Sequence, residues 1–279
     1  MHPSLFKIGP IDIRFYSLMY ILAMGLGFYL LSTEVERKKL ALSKNDLVNL
    51  ILFSVVVGII GARLYYVIFR WDYYSVNLAE IPAIRQGGLA SHGGFIAGAA
   101  AGWLFLRRHR VSFLKLADSA LPLVVLGEAC IRFGNFMNGE AHGLPTTMPW
   151  GVVFPLGSPA GNQFPGIPVH PTMLYQLSAN LLVFFVLWFV LRKKSYRDGF
   201  CAAFTIILYS IGRFFIEGLR ADSLYLGHFR VAQIVCIVLL LATISVIIAG
   251  RPRMRNPSAT GELDAQEGSI NDQIGRIQK

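Results

Sequence analysis

Charge is what this sequence is short of: Asp, Glu, Lys and Arg together make up 15% of its 279 residues, too few to cover the surface of a water-soluble domain. Acidic residues are scarcer than basic ones, 16 against 26, which leaves a formal charge of +10. The basic residues nevertheless occur in short clusters between apolar runs and not along an amphipathic face, a pattern that argues against nucleic acid as a partner. Cysteine is scarce too. Cys130, Cys201 and Cys236 each fall inside an apolar run without metal-ligand spacing, so they read as small buried residues, and neither a disulfide framework nor a metal centre is expected. A cleavable signal peptide is not visible either, because the first apolar stretch, from Ile13, is too long for an h-region and leads into a charged loop. Nor is there an internal repeat of the kind that marks many transporters.

What is there in abundance is apolar sequence, 54% of the chain, with a mean hydropathy of +0.52. Seven stretches predict membrane helices, at approximately 13–33, 46–69, 92–106, 116–137, 171–191, 200–216 and 230–249. The first, third and fifth connections and the start of the tail hold the basic clusters (Arg37, Lys38 and Lys39; Arg107, Arg108 and Arg110; Arg192, Lys193 and Lys194; Arg251, Arg253 and Arg255). The longest connection, 138–170, holds no lysine or arginine. The positive-inside rule then places the amino terminus outside and the carboxyl terminus in the cytoplasm, as an odd number of spans requires. The expectation is an all-α membrane protein of seven transmembrane helices with an extracytoplasmic head region. Residues 1–250 would form one transmembrane catalytic domain that includes the 138–170 head loop, and 251–279 a polar cytoplasmic tail. Gly94, Gly98 and Gly102 recur at every fourth residue of the third span, the spacing that lets a neighbouring helix approach closely. The Gly- and Pro-rich head loop carries Trp150, Phe154 and Phe164, which argues for ordered packing near the membrane surface.

Polar residues within such spans are costly and are usually functional. The stretch GEACIRFGNFMNGEAHG, 127–143, closes the fourth span with Glu128, Arg132, Asn135, Asn138, Glu140 and His142. Glu128, Arg132 and Asn135 fall on one helix face at i, i+4 and i+7, and Tyr209, Arg213, Glu217 and Arg220 form a second stripe. Under the predicted topology Tyr16 and Tyr20, Arg63, His92, Arg132 and Arg213 from five helices reach one level near the outer face. Two arginine-bearing stripes at one depth suit a shared anion, and in the outer leaflet a phospholipid headgroup phosphate is the natural occupant, since the planar guanidinium fork fits it. His92, in SHGG with Ser91 as a candidate cap, would be biased toward the neutral, proton-accepting form at a helix amino terminus. Other readings stay open at this point. Arg63 equally suits a structural partner of a carboxylate, Arg220 and Arg230 interfacial anchors, Tyr16 and Tyr20 an aromatic belt, and His92 a satisfied structural histidine.

In order along the chain, FYSLMY, SHGG, RFGNFMNGEAHG, HPTMLY and YSIGRFFIEGLRADS resemble the blocks of the phosphatidylglycerol:prolipoprotein diacylglyceryl transferase family, and together they cover residues 13 to 235. The resemblance implies a seven-span enzyme of the bacterial plasma membrane with its active site toward the outer leaflet. It would move the diacylglyceryl group of phosphatidylglycerol to the lipobox cysteine thiol of a preprolipoprotein signal peptide, releasing glycerol 1-phosphate, as the first step of lipoprotein maturation. Membrane lipids and the signal peptide are its implied partners, with no metal or soluble cofactor. Carried over by position, Arg132 and Arg213 would hold the phosphate, Asn135 and Glu140 shape the site, Tyr16 and Tyr20 line it, and His92 activate the thiol. Arg63, Asn138, Tyr209, Glu217 and Arg220 join them as candidate substrate-binding residues. Ile131 stands where a glycine usually precedes the signature arginine, and Gln176 where a glutamate often follows LY. A relative with the same donor and another acceptor, or a lipid or organic-anion transporter, are the competing readings. The nearly apolar inner halves of the spans argue against transport.

Overall fold

The computed structural model describes residues 4–8, 11–84, 87–194 and 196–250. In chain order, strands β1 (Ser4–Ile8) and β2 (Ile11–Arg14) lead into α1 (Phe15–Arg37), α2 (Lys44–Phe69), the single turn α3 (Trp71–Tyr74), α4 (Ser91–Arg108) and α5 (Phe113–Asn138). The short α6 (Pro159–Gln163), α7 (Thr172–Phe185), α8 (Phe200–Glu217), strands β3 (Tyr225–Leu226) and β4 (Phe229–Arg230), and α9 (Val231–Gly250) follow. The predicted tail, 251–279, lies outside the described residues.

Each of the seven predicted segments is helical. Five helices are long and apolar enough to cross a membrane: α1, α2, α7 with its π-helical continuation to Leu191, α8 and α9. The chain is therefore a mostly helical, multi-pass membrane protein. The other two segments are less apolar for visible reasons. α4 is dominated by Gly and Ala, and α5 carries Lys115, Asp118, Glu128 and Arg132. The sequence reading did not anticipate the antiparallel pairs β1–β2 and β3–β4; two to five residues is too short for a periodic signal.

The chain clusters into two compact units, residues 31–116 and residues 1–30 with 117–279. In the first, α2 starts with a capping box in which Ser43 Oγ accepts from the Asp46 N–H at 3.1 Å and the Asp46 carboxylate accepts from the Ser43 N–H at 2.8 Å. α2 and α4 run antiparallel in close contact. Gly94 faces the Gly58 carbonyl and Gly98 the Ser54 carbonyl, so the every-fourth-residue glycines do lie along a helix contact. The tightest approach is elsewhere: a Cβ on Gly61 would come within 2.2 Å of the Ala97 Cβ, and one on Gly93 within 2.3 Å of the Tyr65 Cβ. α4 begins at Ser91, whose side chain lies outside the described part of the structure, and the residue before it is fixed by a backbone bond from the Ala90 N–H to the Ala62 carbonyl at 3.0 Å.

In the second unit the close contacts define helix directions. The α1 backbone at Tyr16 meets Gly134, and Ala23 meets Gly127, so α1 and α5 are antiparallel. Asp118 of α5 accepts the Gly199 and Ala202 N–H groups at 2.7 and 2.8 Å, capping the start of α8 from a neighbouring helix. Further along the same two helices Glu128 meets Tyr209, so α5 and α8 run parallel. α7 is antiparallel to α8, with Ala179 against Gly212 and Val183 packed near Phe204 and Leu208. The starts of α1 and α7 and the ends of α5 and α8 therefore share one end of this unit. The head loop joins them. Residues 142–144 pair with 219–221 on one side, through Leu144 N–H to the Leu219 carbonyl and Ala221 N–H to the His142 carbonyl. They pair with His170 on the other side, through Gly143 N–H to the His170 carbonyl. Phe154, Ala160, Val169 and Met173 form a small core beneath that loop, in line with the ordered packing its aromatics suggested.

Gly61→Val should lower the melting temperature of the detergent-solubilised protein by the equivalent of about 2 kcal/mol or more, because the added methyls meet α4 helix atoms and not a mobile side chain. An unchanged thermal transition would contradict the α2–α4 contact.

Candidate active site

The shared helix end of the second unit carries a continuous polar network. Glu128 Oε1 accepts from Arg132 Nη2 at 2.7 Å and from the Tyr209 hydroxyl at 3.1 Å, so one carboxylate oxygen joins α5 to α8. Arg132 Nη1 donates to Asn135 Oδ1 at 3.3 Å. Asn135 Nδ2 donates to Glu140 Oε2 at 3.0 Å, and Asn138 Nδ2 to Glu140 Oε1 at 3.3 Å. The i, i+4, i+7 stripe thus becomes a line of alternating donors and acceptors that ends on the Glu140 carboxylate.

Arg213 lies one turn beyond Tyr209 on α8 and pairs with Glu217 at 2.7 Å. Glu217, buried at 2% exposure, also faces Arg220 at 3.9 Å, and Arg220 in turn makes a two-pronged pair with Asp222 at 2.9 Å. Glu217 Oε2 has these ion-pair contacts but no well-aligned hydrogen bond. Arg132 and Arg213 each follow the bonded Glu128–Tyr209 pair by four residues on parallel helices, which brings the two guanidinium-bearing residues to the same end of the unit. The Arg132 Nε–H is buried and has no hydrogen-bond partner. An orphaned, buried donor on a half-buried cation, with a second guanidinium-bearing residue at the same end of the unit, favours a bound anion that would satisfy both.

Tyr16 and Tyr20 hydroxyls are 3.2 Å apart, and Tyr16 packs against Gly134 of α5, the residue before Asn135, which places this pair beside the network. Arg230, for which an interfacial anchor was one reading, donates to the Glu217 carbonyl, 3.5 Å from Ser223 Oγ and with its guanidinium over the Tyr225 ring.

Arg63 and His92 belong to the other unit. His92 is the second residue of α4, and its side chain lies outside the described part of the structure. Arg63 is well defined. Its guanidinium donates to four backbone carbonyls, those of Ile81 (2.7 Å), Gly87 (2.9 Å), Gly88 (2.9 Å) and Glu80 (2.7 Å), and stacks near Tyr74 and Tyr66. Instead of the carboxylate that the sequence reading weighed as its structural partner, backbone carbonyls surround it, which makes it the staple of the loop leading to α4. It borders a cavity of about 220 Å³ shared with Arg70, Tyr73 and the Glu80 side chain.

Several contacts carried no advance signal. Thr172 Oγ1 donates to the Ala141 carbonyl at 2.6 Å, His142 Nε2 meets Gln163 Oε1 at 2.8 Å, and Trp150 Nε1 donates to the Tyr175 hydroxyl at 2.7 Å. They link residues 21 to 31 positions apart, beyond any helical or strand period. The sequence marked His142, Trp150 and the HPTMLY block, but not the partners they find.

A family model described as prolipoprotein diacylglyceryl transferase matches residues 3–249. The chain belongs to the prolipoprotein diacylglyceryl transferase family. It is 44% identical over 247 residues to a phosphatidylglycerol–prolipoprotein diacylglyceryl transferase of Bacillus cereus (88% of this chain, 90% of the relative). Proteins of the same name from Finegoldia magna and Clostridioides difficile are each 40% identical, over 85% and 84% of this chain and 91% and 89% of their own lengths. The transferase-family match runs through both units, so Arg63 and His92 fall within it as well as the Arg132 network.

Arg63→Leu should destabilise the protein by about 3 kcal/mol or more, since it strands four carbonyls that a charged donor now satisfies. Limited proteolysis should then cut faster between residues 76 and 90. Wild-type resistance there would contradict the staple.

Proposed function

We propose that this chain transfers the sn-1,2-diacylglyceryl group from phosphatidylglycerol to the lipobox cysteine of a preprolipoprotein, the first step of bacterial lipoprotein maturation. The observation that carries this reading is the Tyr209–Glu128–Arg132–Asn135–Glu140 network with Arg213 beside it, in a chain of this family. In the proposed arrangement seven helices cross the plasma membrane, α4 and α5 included, with the amino terminus outside, the tail in the cytoplasm and the site toward the outer leaflet. The alternating directions of α1, α5, α7 and α8 are compatible with that topology.

Arg132 and Arg213 hold the headgroup phosphate between them. Each keeps its own carboxylate, Glu128 or Glu217, which lowers the cost of two cations in a lipid environment without using up the donors of either. Asn135, Asn138 and Glu140 shape the polar wall, and Tyr16 and Tyr20 line the approach. The cysteine sulfur attacks the glyceryl carbon that bears the phosphate ester. A carbon–sulfur bond forms as the carbon–oxygen bond breaks, the thiol proton passes to a base, for which His92 is the candidate, and glycerol 1-phosphate leaves. A thiol with an ordinary pKa near 8.5 needs that base at neutral pH. Charge accumulates on the leaving phosphate as the bond breaks, so the two guanidinium groups act most strongly in the transition state.

The test is to incubate the purified protein with phosphatidylglycerol and a lipobox peptide and to look for the mass of the diacylglyceryl thioether. The wild-type protein should form it. Arg132→Gln and Arg213→Gln should each slow it by about 100-fold or more while leaving the helical circular dichroism unchanged. Absence of product from the wild-type protein, or near-normal rates in either variant, would contradict the reading.

A further inference from the structure

The Glu140 carboxylate sits on a turn that the chain does not adopt cheaply. Gly139 and Ala141 on either side of it have φ of +70° and +59°, and for alanine the left-handed region is unfavourable. Something must hold Ala141 there. Thr172, the first residue of α7 and 1% exposed, donates its hydroxyl to the Ala141 carbonyl at 2.6 Å. On the next residue His142, 2% exposed, is anchored through Nε2 to Gln163 Oε1 at 2.8 Å, with Phe164 edge-on to its ring. Gln163 is the last residue of α6, and α6 is itself tied to the turn by the Ala160 N–H on the Gly139 carbonyl at 3.1 Å. The Glu140 N–H closes on the Asn135 carbonyl at 3.0 Å.

From these contacts the geometry points to Thr172 as a positioning residue for the transfer reaction, a latch that acts with the His142–Gln163 bond to hold Glu140 against Asn135 and Asn138. The inference rests on the reading of Glu140 as part of the site. Thr172 touches no residue of the Arg132 network itself in its hydrogen bond; it acts one peptide away, through the carbonyl of residue 141. With the latch closed, the carboxylate meets two amide donors at 3.0 and 3.3 Å and keeps Asn135 turned so that its oxygen faces Arg132. With the donor removed, the Ala141 carbonyl is left buried without it, and the turn can relax toward ordinary φ, carrying Glu140 off its partners.

The test is a double-mutant cycle on the full-length protein, reading kcat and KM for phosphatidylglycerol. Thr172→Val, which keeps the shape and removes the hydroxyl, should lower kcat at least 10-fold, and Thr172→Ser, which keeps the donor, should stay within about threefold of wild type. In a Glu140→Gln background Thr172→Val should cost less than a further twofold, because the carboxylate it positions is already gone. Gln163→Met removes the His142 acceptor from the other side and should show the same lack of additivity, which keeps the cycle readable should Thr172→Val fold poorly. Equal costs in both backgrounds, or Thr172→Ser as slow as Thr172→Val, would overturn the latch and leave the Glu140 reading standing. A wild-type rate in Glu140→Gln alone would overturn both.

Discussion

A single carboxylate oxygen, Glu128 Oε1, receives hydrogen bonds from two helices, and the candidate site depends on that junction. In the proposed seven-span arrangement Arg132 would be too costly unpaired, since an isolated guanidinium in hydrocarbon is among the most expensive groups a membrane protein can carry. Glu128 compensates it from the same face of α5. Tyr209 ties that pair to α8, one turn from Arg213. With Asp118 capping the start of α8 from the same α5 helix, the two helices are held in register at two levels. The two arginines are thereby placed near each other by a scaffold that is not itself made of the arginines.

Pairing each cation with a carboxylate of its own serves the proposed chemistry as well as the fold. Two bare guanidiniums at close range would repel each other, and a phosphate would then be needed for the fold itself. Here Glu128 and Glu217 carry that load, and a leaving phosphate can arrive and depart while the helices stay in place. The orphaned Arg132 Nε–H and the imperfectly bonded Glu217 Oε2 are the strained points of the arrangement, and they lie where a ligand is proposed to bind.

The helical part of this arrangement was legible in the sequence. The spacing of Glu128, Arg132 and Asn135 and that of Tyr209, Arg213 and Glu217 dictate shared faces, and the glycine spacing of α4 dictates a close neighbour. The loops were not legible. Arg63, read either as a substrate-binding residue or as the partner of a carboxylate, donates to four carbonyls of residues 80–88, because a sequence names side chains and not the backbone a loop will turn inward. Thr172 and Gln163, and the bond that His142 makes, escaped notice for a related reason: these contacts depend on the path of a 33-residue loop and not on periodicity. The two short β-pairs and the shared role of Glu217 between Arg213 and Arg220 likewise arise only from tertiary placement.

The central claim, that Arg132 and Arg213 grip one phosphate together, is tested most directly by titrating glycerol 1-phosphate into the purified protein, the two Arg→Gln variants and the double variant. A shared phosphate predicts that each single substitution weakens binding by about 10-fold or more and that the double variant loses clearly less than the product of the two. Undiminished affinity in either single variant, or losses that simply multiply, would contradict it.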